Sequence, residues 1–456
     1  MEGNDATFPI GVNTCSSPSG LRITDMRFTE VVGAPMHCTL MKIMTNQGLE
    51  GCGELRDASS RTYAAMLKSR IVGENPCDVD RIFRRVKQFG GHSRQGGGVS
   101  GIEAALWDLA GKAYGVPVHR MLGGRFRDRV RIYCDTDAGG RDGGKAMGEA
   151  LRRRMDLGYT FLKMDLGLGT LAGVAGAVSA PLGYLGEMGR LHAALRLIPE
   201  GDWVARANVR NRMYELNNVA HPFTGIRLTE KGLVTLSDYV GEVRGVIGHE
   251  VPLAIDHIGH VCVEDCIALA RRLERHNVAW LEDLVPWQYT DQYVRLKAST
   301  TVPICTGEDI YLKEGFRPLL EAGGVSIIHP DVLTAGGILE TKKIGDMAQE
   351  AGVAMALHMA EGPAGCMAAV QVAAATENFL ALEYHSVDCD WWGDMVTGLP
   401  RPIVDGGWIE VPDGPGLGFE TFNDEALAMH LHPDWPRLWM GTEEWDGERS
   451  ADRLWS

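Results

Sequence analysis

Apolar residues recur along this chain in two rhythms. Between residues 21 and 55 they alternate with polar ones in RITDMRFTEVV and CTLMKIMTN, then an Asn46-Gln47-Gly48 turn leads to EGCGEL. Alternation of this kind predicts strands. Helical spacing follows to about residue 114. Its clearest stretch is Gly101–Tyr114, where Ile102, Ala105, Leu106 and Leu109 form an apolar stripe. Ser100 and Glu103 have the spacing of a capping box, and Gly115 with Pro117 ends the helix. Residues 1–124 therefore predict an α+β unit.

After Gly124 a different unit repeats: a short apolar strand, a charged helical stretch, another strand. The strands are RVRIYCD, TFLKMDL, PLAIDHI, VAWLEDL, VPICTGE, GVSIIHPD, VAMALHM and FLALEYH. From the third onward they step by about 25 residues, room for a strand, a loop and roughly three helical turns. Eight such strands over residues 125–390 predict an α/β fold of the TIM-barrel type. The step from Asp165 to Asp256 is more than three times as long, which places an insert at about 167–225 on the end where barrel enzymes keep their sites. That insert carries Arg206, Arg210, Arg212 and His221, suited to a lid over an anionic substrate or to an oligomer contact. Its glycine-rich beginning, Leu166 to Gly186, is too weakly apolar for a membrane span and predicts a loop. Residues 391–456 are rich in Pro, Gly and Trp and lack the barrel texture.

Charge narrows the function. With 45 basic and 60 acidic residues the chain carries −15, which disfavours nucleic-acid and membrane partners and leaves a small molecule as the expected ligand. The ten cysteines form no CxxC pair, and Cys262 and Cys266 have no second pair beside them. Buried thiols in a reducing, cytoplasmic setting are the expectation, and no signal-peptide pattern opens the chain.

In a parallel barrel, catalytic groups stand at the C-terminal strand ends. Here the ends carry Lys163 and Asp165, Asp256, Glu282 with Asp283, Glu308, Asp331, His358 and Glu383. Carboxylates so crowded resist ionisation unless a positive charge sits among them. Asp256, Glu282 and Glu308, from consecutive strands, suit a hard divalent cation such as Mg2+. Salt bridges to Lys and Arg are the plainer alternative. Asp331 and His358 form a natural dyad, in which the carboxylate fixes one imidazole nitrogen and leaves the other to accept a proton. His329 lies one layer deeper on the same side and reads as structural. Lys163 and Asp165 share a face, where Lys163 could hold a carboxylate oxygen, stabilise an intermediate or act as a base.

These residues, with GIEAALWDLAGKAYGVPVHRMLGG, LED, GED, HPDVLTAGGI, ALH, LEYH and VPDGPGLGFE, resemble the enolase superfamily in its mandelate racemase-like branch, over residues 21–430. The resemblance implies a (β/α)7β barrel with a capping domain built from both termini, residues 1–124 and 391–456. It also implies one Mg2+ held by Asp256, Glu282 and Glu308, abstraction of the proton alpha to a carboxylate, and a homo-oligomer. The superfamily is a standard example of a Lys or His base working with Mg2+.

Departures from the pattern point to the reaction. Racemases of the branch resemble one another in a Lys-x-Lys on strand two, where this chain has Lys163-x-Asp165. A conventional base on one face only, His358, points to an acid-sugar dehydratase of the galactonate and mannonate type, which yields a 2-keto-3-deoxy acid. The histidine that serves several of these as general acid is replaced by Ile258, leaving His260 or His358 itself to protonate the leaving group. An epimerase or cycloisomerase using Lys163 or Asp165, a Schiff-base aldolase through Lys163, and a non-catalytic binding protein are the alternatives. Arg27, Arg56 and Arg61 are candidates for substrate contacts, and Trp391 with Trp392 for packing.

Overall fold

The computed structural model describes residues 16–35, 37–136, 143–199, 201–256 and 261–448. The chain packs as two compact units, one of residues 1–131, 308–316 and 329–456, the other of residues 132–307 and 317–328.

The alternating segments of the N-terminal region form an antiparallel sheet of β1 (Ile23–Val31), β2 (Cys38–Thr45) and β3 (Glu50–Glu54). Helix Gly97–Tyr114 lies against β3. Two glycines permit the close approach: a Cβ on Gly51 would sit 2.4 Å from the Ala105 carbonyl oxygen, and one on Gly53 2.8 Å from that of Gly101. The expected stripe of Ile102, Ala105, Leu106 and Leu109 is buried, and so are Glu103 and Asp108.

The capping box at Ser100 and Glu103 does not form. The helix begins earlier, at Gly97, so both residues lie inside it. Their side chains serve other backbone instead. Glu103 accepts from the N–H groups of Ile338 (2.6 Å) and Leu339 (3.0 Å), which open helix Ile338–Glu350. Ser100 accepts from Gly336 N–H at 3.0 Å. A carboxylate at a helix N-terminus meets donors that have no partner within their own helix.

The barrel strands are β4 (Arg129–Thr136), β5 (Leu162–Asp165), β6 (Leu253–Asp256), β7 (Trp280–Glu282), β8 (Ile304–Thr306), β9 (Ile327–Ile328), β10 (Ala354–Leu357) and β11 (Phe379–Tyr384). They pair in chain order, and β11 pairs with β4, which closes the parallel barrel. Each of the first seven is followed by a helix before the next strand, whereas a short 3-10 turn, Trp392–Met395, follows β11. This is the (β/α)7β order. β12 (Trp408–Glu410), from the C-terminal segment, adds antiparallel to β4. Inside the barrel the aromatic side chains of Tyr133, Phe161 and Trp280 pack with ring centroids 5.0–5.6 Å apart.

The insert after β5 is a helical hairpin, Tyr184–Leu197 and Trp203–Val219. Its small core is Tyr184, Ala220 and Ile226, and the second helix buries none of its residues. Arg206 donates to the Ile198 carbonyl, and Arg212 pairs with Glu215. Among the described residues no helix is long and apolar enough to cross a membrane.

Two outcomes follow from the buried acids of the N-terminal region. Glu103→Ala removes acceptors for backbone donors at the start of helix Ile338–Glu350, and chemical denaturation should show a loss of roughly 2–4 kcal/mol. Glu54, which accepts from Gly362 and Gly365 N–H, is pushed up to about 8 by burial. The folded state then holds a proton that the unfolded chain releases near the ordinary glutamate range, so this group's contribution to stability falls as pH rises towards 8. The stability of wild type relative to Glu54→Gln should therefore decline between about pH 5 and 8 in denaturation curves.

Candidate active site

Backbone register brings the strand-end residues together. In the second unit, Asp165 stands opposite Asp256 where β5 and β6 pair, and Lys163 opposite Ala254. Lys163 is buried, and its ammonium lies 2.7 Å from Asp256 Oδ2 and 3.1 Å from Glu282 Oε1. Trp280 Nε1 donates to the other oxygen of Glu282 at 2.7 Å. One positive charge expected among the acids is thus Lys163 itself.

The first unit holds the dyad. An isolated bridge joins Asp331 to His358, and His358 Nδ1 lies 2.7 Å from Asp331 Oδ2. Leu333 N–H donates to the other Asp331 oxygen at 2.6 Å. With Nδ1 engaged, the second nitrogen faces outward: His358 Nε2 is 3.2 Å from Glu308 Oε2 and 3.8 Å from Glu383 Oε2. Glu383 is fully buried and also meets His329 Nε2 at 3.5 Å and His385 Nε2 at 3.4 Å. His329 has no exposed surface, in keeping with a structural part.

Arg56 organises the acids around this dyad. Its side chain is 1% exposed, in reach of four carboxylates. Nη1 contacts Asp57 and lies 3.3 Å from Glu361 Oε1, Nε is 3.7 Å from Asp331 Oδ2, and Nη2 is 3.9 Å from Glu308 Oε1. Nε also donates to Thr334 Oγ1 at 3.0 Å. Arg94 completes the group, donating to Asp57 Oδ2 at 3.0 Å. Burial pushes the Asp331 carboxyl up to about 6, with the Arg56 charge opposing the rise. Burial, then the neighbouring Asp331, hold Glu361 well above the ordinary glutamate range. The Asp331 charge thus disfavours a second charge on Glu361, and Arg56 offsets part of that cost.

The cation test rests on donor chemistry. Asp256 and Glu282 in the second unit and Glu308 in the first each offer carboxylate oxygens, hard donors of the kind Mg2+ takes. β7 and β8 pair with Glu282 opposite Cys305, and Glu308 follows β8 by two residues.

Comparison with known proteins agrees with the fold. A family model described as mandelate racemase / muconate lactonizing enzyme, N-terminal domain, matches residues 12–123, and one described as enolase C-terminal domain-like matches residues 213–426. A D-xylonate dehydratase of Haloferax volcanii is 33% identical over 416 residues, covering 90% of this chain and 89% of the relative. The chain belongs to the enolase superfamily. A D-galactonate dehydratase of Ralstonia pickettii is 27% identical, covering 88% of this chain and 93% of the relative. Among solved structures, a mandelate racemase/muconate lactonizing enzyme-like protein from Rubrobacter xylanophilus has a TM-score of 0.73 at 28% identity, covering 91% of this chain and 99% of its own.

Other sequence expectations resolve as follows. Ile258 and His260 lie outside the described residues. Of the three candidate arginines, Arg56 enters the dyad's network, Arg27 pairs with Asp25 at 2.9 Å, and Arg61 lies over the Trp435 ring. Trp392 is buried against Tyr384, and Trp391 stacks on the His430 ring at 3.5 Å, so both pack. Glu361, Asp57 and His385 join the cluster without having been singled out. His385 stood in the LEYH segment that carried the resemblance, and Glu361 follows His358 by three residues, but neither has a distinguishing spacing.

Removing the Arg56 charge should expose how much the acids depend on it. Arg56→Met leaves Asp57, Asp331 and Glu361 buried with less counter-charge, and chemical denaturation should show a loss of about 3–5 kcal/mol, the cost typical of breaking a buried ion pair.

Proposed function

We propose that this enzyme is a Mg2+-dependent dehydratase of sugar acids, a hydro-lyase that removes the proton alpha to the carboxylate and eliminates the 3-hydroxyl as water. The observation that carries this reading is the single conventional base: the Asp331–His358 dyad leaves one imidazole nitrogen to accept a proton, whereas Lys163 is already engaged by carboxylates. The Lys163 ammonium is engaged 2.7 Å from Asp256 and 3.1 Å from Glu282, and the second position of the Lys-x-Lys pair, which supplies the base in racemases of the branch, is Asp165 here. The kinship with D-xylonate and D-galactonate dehydratases supports the same substrate class.

Asp256, Glu282 and Glu308 would hold the Mg2+. When bound, the ion supplies positive charge next to the substrate carboxylate, lowering the cost of the negative charge that builds there as the neighbouring proton leaves. The protein's own groups do the proton work. Asp331 keeps hydrogen on Nδ1 of His358, so Nε2 is the accepting atom. The Arg56 charge favours the ionised form of Asp331, which sustains the basicity of the ring. Glu383, beside His358, is placed to orient the substrate near Nε2. The electron pair left on the alpha carbon then forms the double bond that expels the 3-hydroxyl, and the enol product tautomerises to a 2-keto-3-deoxy acid.

A panel of aldonic acids beginning with D-xylonate and D-galactonate, assayed for 2-keto acid, tests this reading. Activity should appear with Mg2+, vanish with chelator and return when Mg2+ is restored. His358→Asn should lower kcat by about two to four orders of magnitude. A panel with no 2-keto acid in the presence of Mg2+ would refute the assignment.

A further inference from the structure

Elimination of water needs two proton transfers on neighbouring carbons. One takes a proton from carbon 2; the other gives a proton to the oxygen leaving carbon 3, because hydroxide is a poor leaving group. His358 answers for the first. Among the described residues a second imidazole stands beside it. His385 follows β11 directly, and its ring centroid is 6.1 Å from that of His358, with the planes at 51°.

The Glu383 carboxylate lies between the two rings. Its Oε1 is 3.4 Å from His385 Nε2, and its Oε2 is 3.8 Å from His358 Nε2. Base and acid acting on adjacent positions must each come within about 3 Å of their atom. Two rings 6.1 Å apart on one side of the barrel mouth meet that demand. Access separates His385 from the third imidazole nearby: the His385 side chain is 16% exposed and that of His329 is 0% exposed.

Resting on the dehydratase reading above, we propose that His385 is the general acid that protonates the departing 3-hydroxyl. The step balances without a further reactant. The carbon 2–hydrogen bond breaks, and the proton goes to His358 Nε2. The electron pair forms the carbon 2–carbon 3 double bond as the carbon 3–oxygen bond breaks, and the oxygen leaves as water with the His385 proton. The product enol takes a proton at carbon 3 as it becomes the keto acid, and exchange with solvent returns both imidazoles to their starting states.

Three readouts on the Mg2+-loaded wild type and His385→Gln test this, with D-xylonate as probe, or D-galactonate if wild type prefers it. Formation of 2-keto acid should fall by roughly 100-fold or more in the variant. Exchange of the carbon 2 proton in D2O, read by NMR on recovered substrate, should stay within a few-fold of wild type. Release of fluoride from the 3-deoxy-3-fluoro analogue should also stay within a few-fold, because fluoride leaves without needing a proton. His385→Asn should behave alike, with melting temperature reporting the fold of each variant.

If all three readouts fall together, or none changes, His385 is not the acid while the dehydratase reading stands. If wild type makes no 2-keto acid from any sugar acid, both readings fall.

Discussion

A carboxylate taken out of water must meet opposite charge or hydrogen-bond donors, and this molecule is arranged around that need. Asp256, Glu282, Asp331, Glu361 and Glu383 are all at most 3% exposed. Two buried cations answer them. Lys163 sits between Asp256 and Glu282, and Arg56 reaches Asp57, Asp331 and Glu361 while approaching Glu308. Without them the acids would bind protons instead of presenting charge, since desolvation favours the neutral form. The proposed binding of a divalent cation and a negatively charged substrate would depend on this balance being set beforehand.

The N-terminal region supplies more than cover. Arg56 comes from the turn after β3, and the acid that ends that strand, Glu54, accepts from the N–H groups of Gly362 and Gly365 at the start of helix Pro363–Ala375. Glu103 does the same for helix Ile338–Glu350. Asp108 accepts from Cys52 N–H on β3 and from Leu417 N–H in the C-terminal segment. Polar side chains of one sheet-and-helix unit thereby fix the loops that follow β9 and β10, where Asp331 and His358 stand. Positioning of His358 is shared between barrel strands and a segment far away in sequence.

Chemically the arrangement is lopsided. The imidazole tied to Asp331 has one nitrogen left over, whereas Lys163 is tied to two acids, so the described residues offer one candidate proton acceptor. Such a layout suits removal of a single proton followed by loss of a group from the same substrate. It does not suit the exchange of protons between two faces.

The repeat of apolar strands and helical stretches made the barrel readable from sequence, because every strand must bury both faces and end at one rim. The same rule put Asp256, Glu282, Glu308, Asp331 and His358 at strand ends before any coordinates. Three-dimensional packing decided what local spacing could not. Ser100 and Glu103 have the pattern of a cap for their own helix, yet they cap the approach to another, because the segment that packs against them is more than 200 residues away in the chain. The partnership of Arg56 with Glu361 and the nearness of His385 to His358 arise in the same way. A pattern along the chain reports which residues will be buried or stand at an end, whereas the choice of ionic partner belongs to whichever distant segment packing brings within reach.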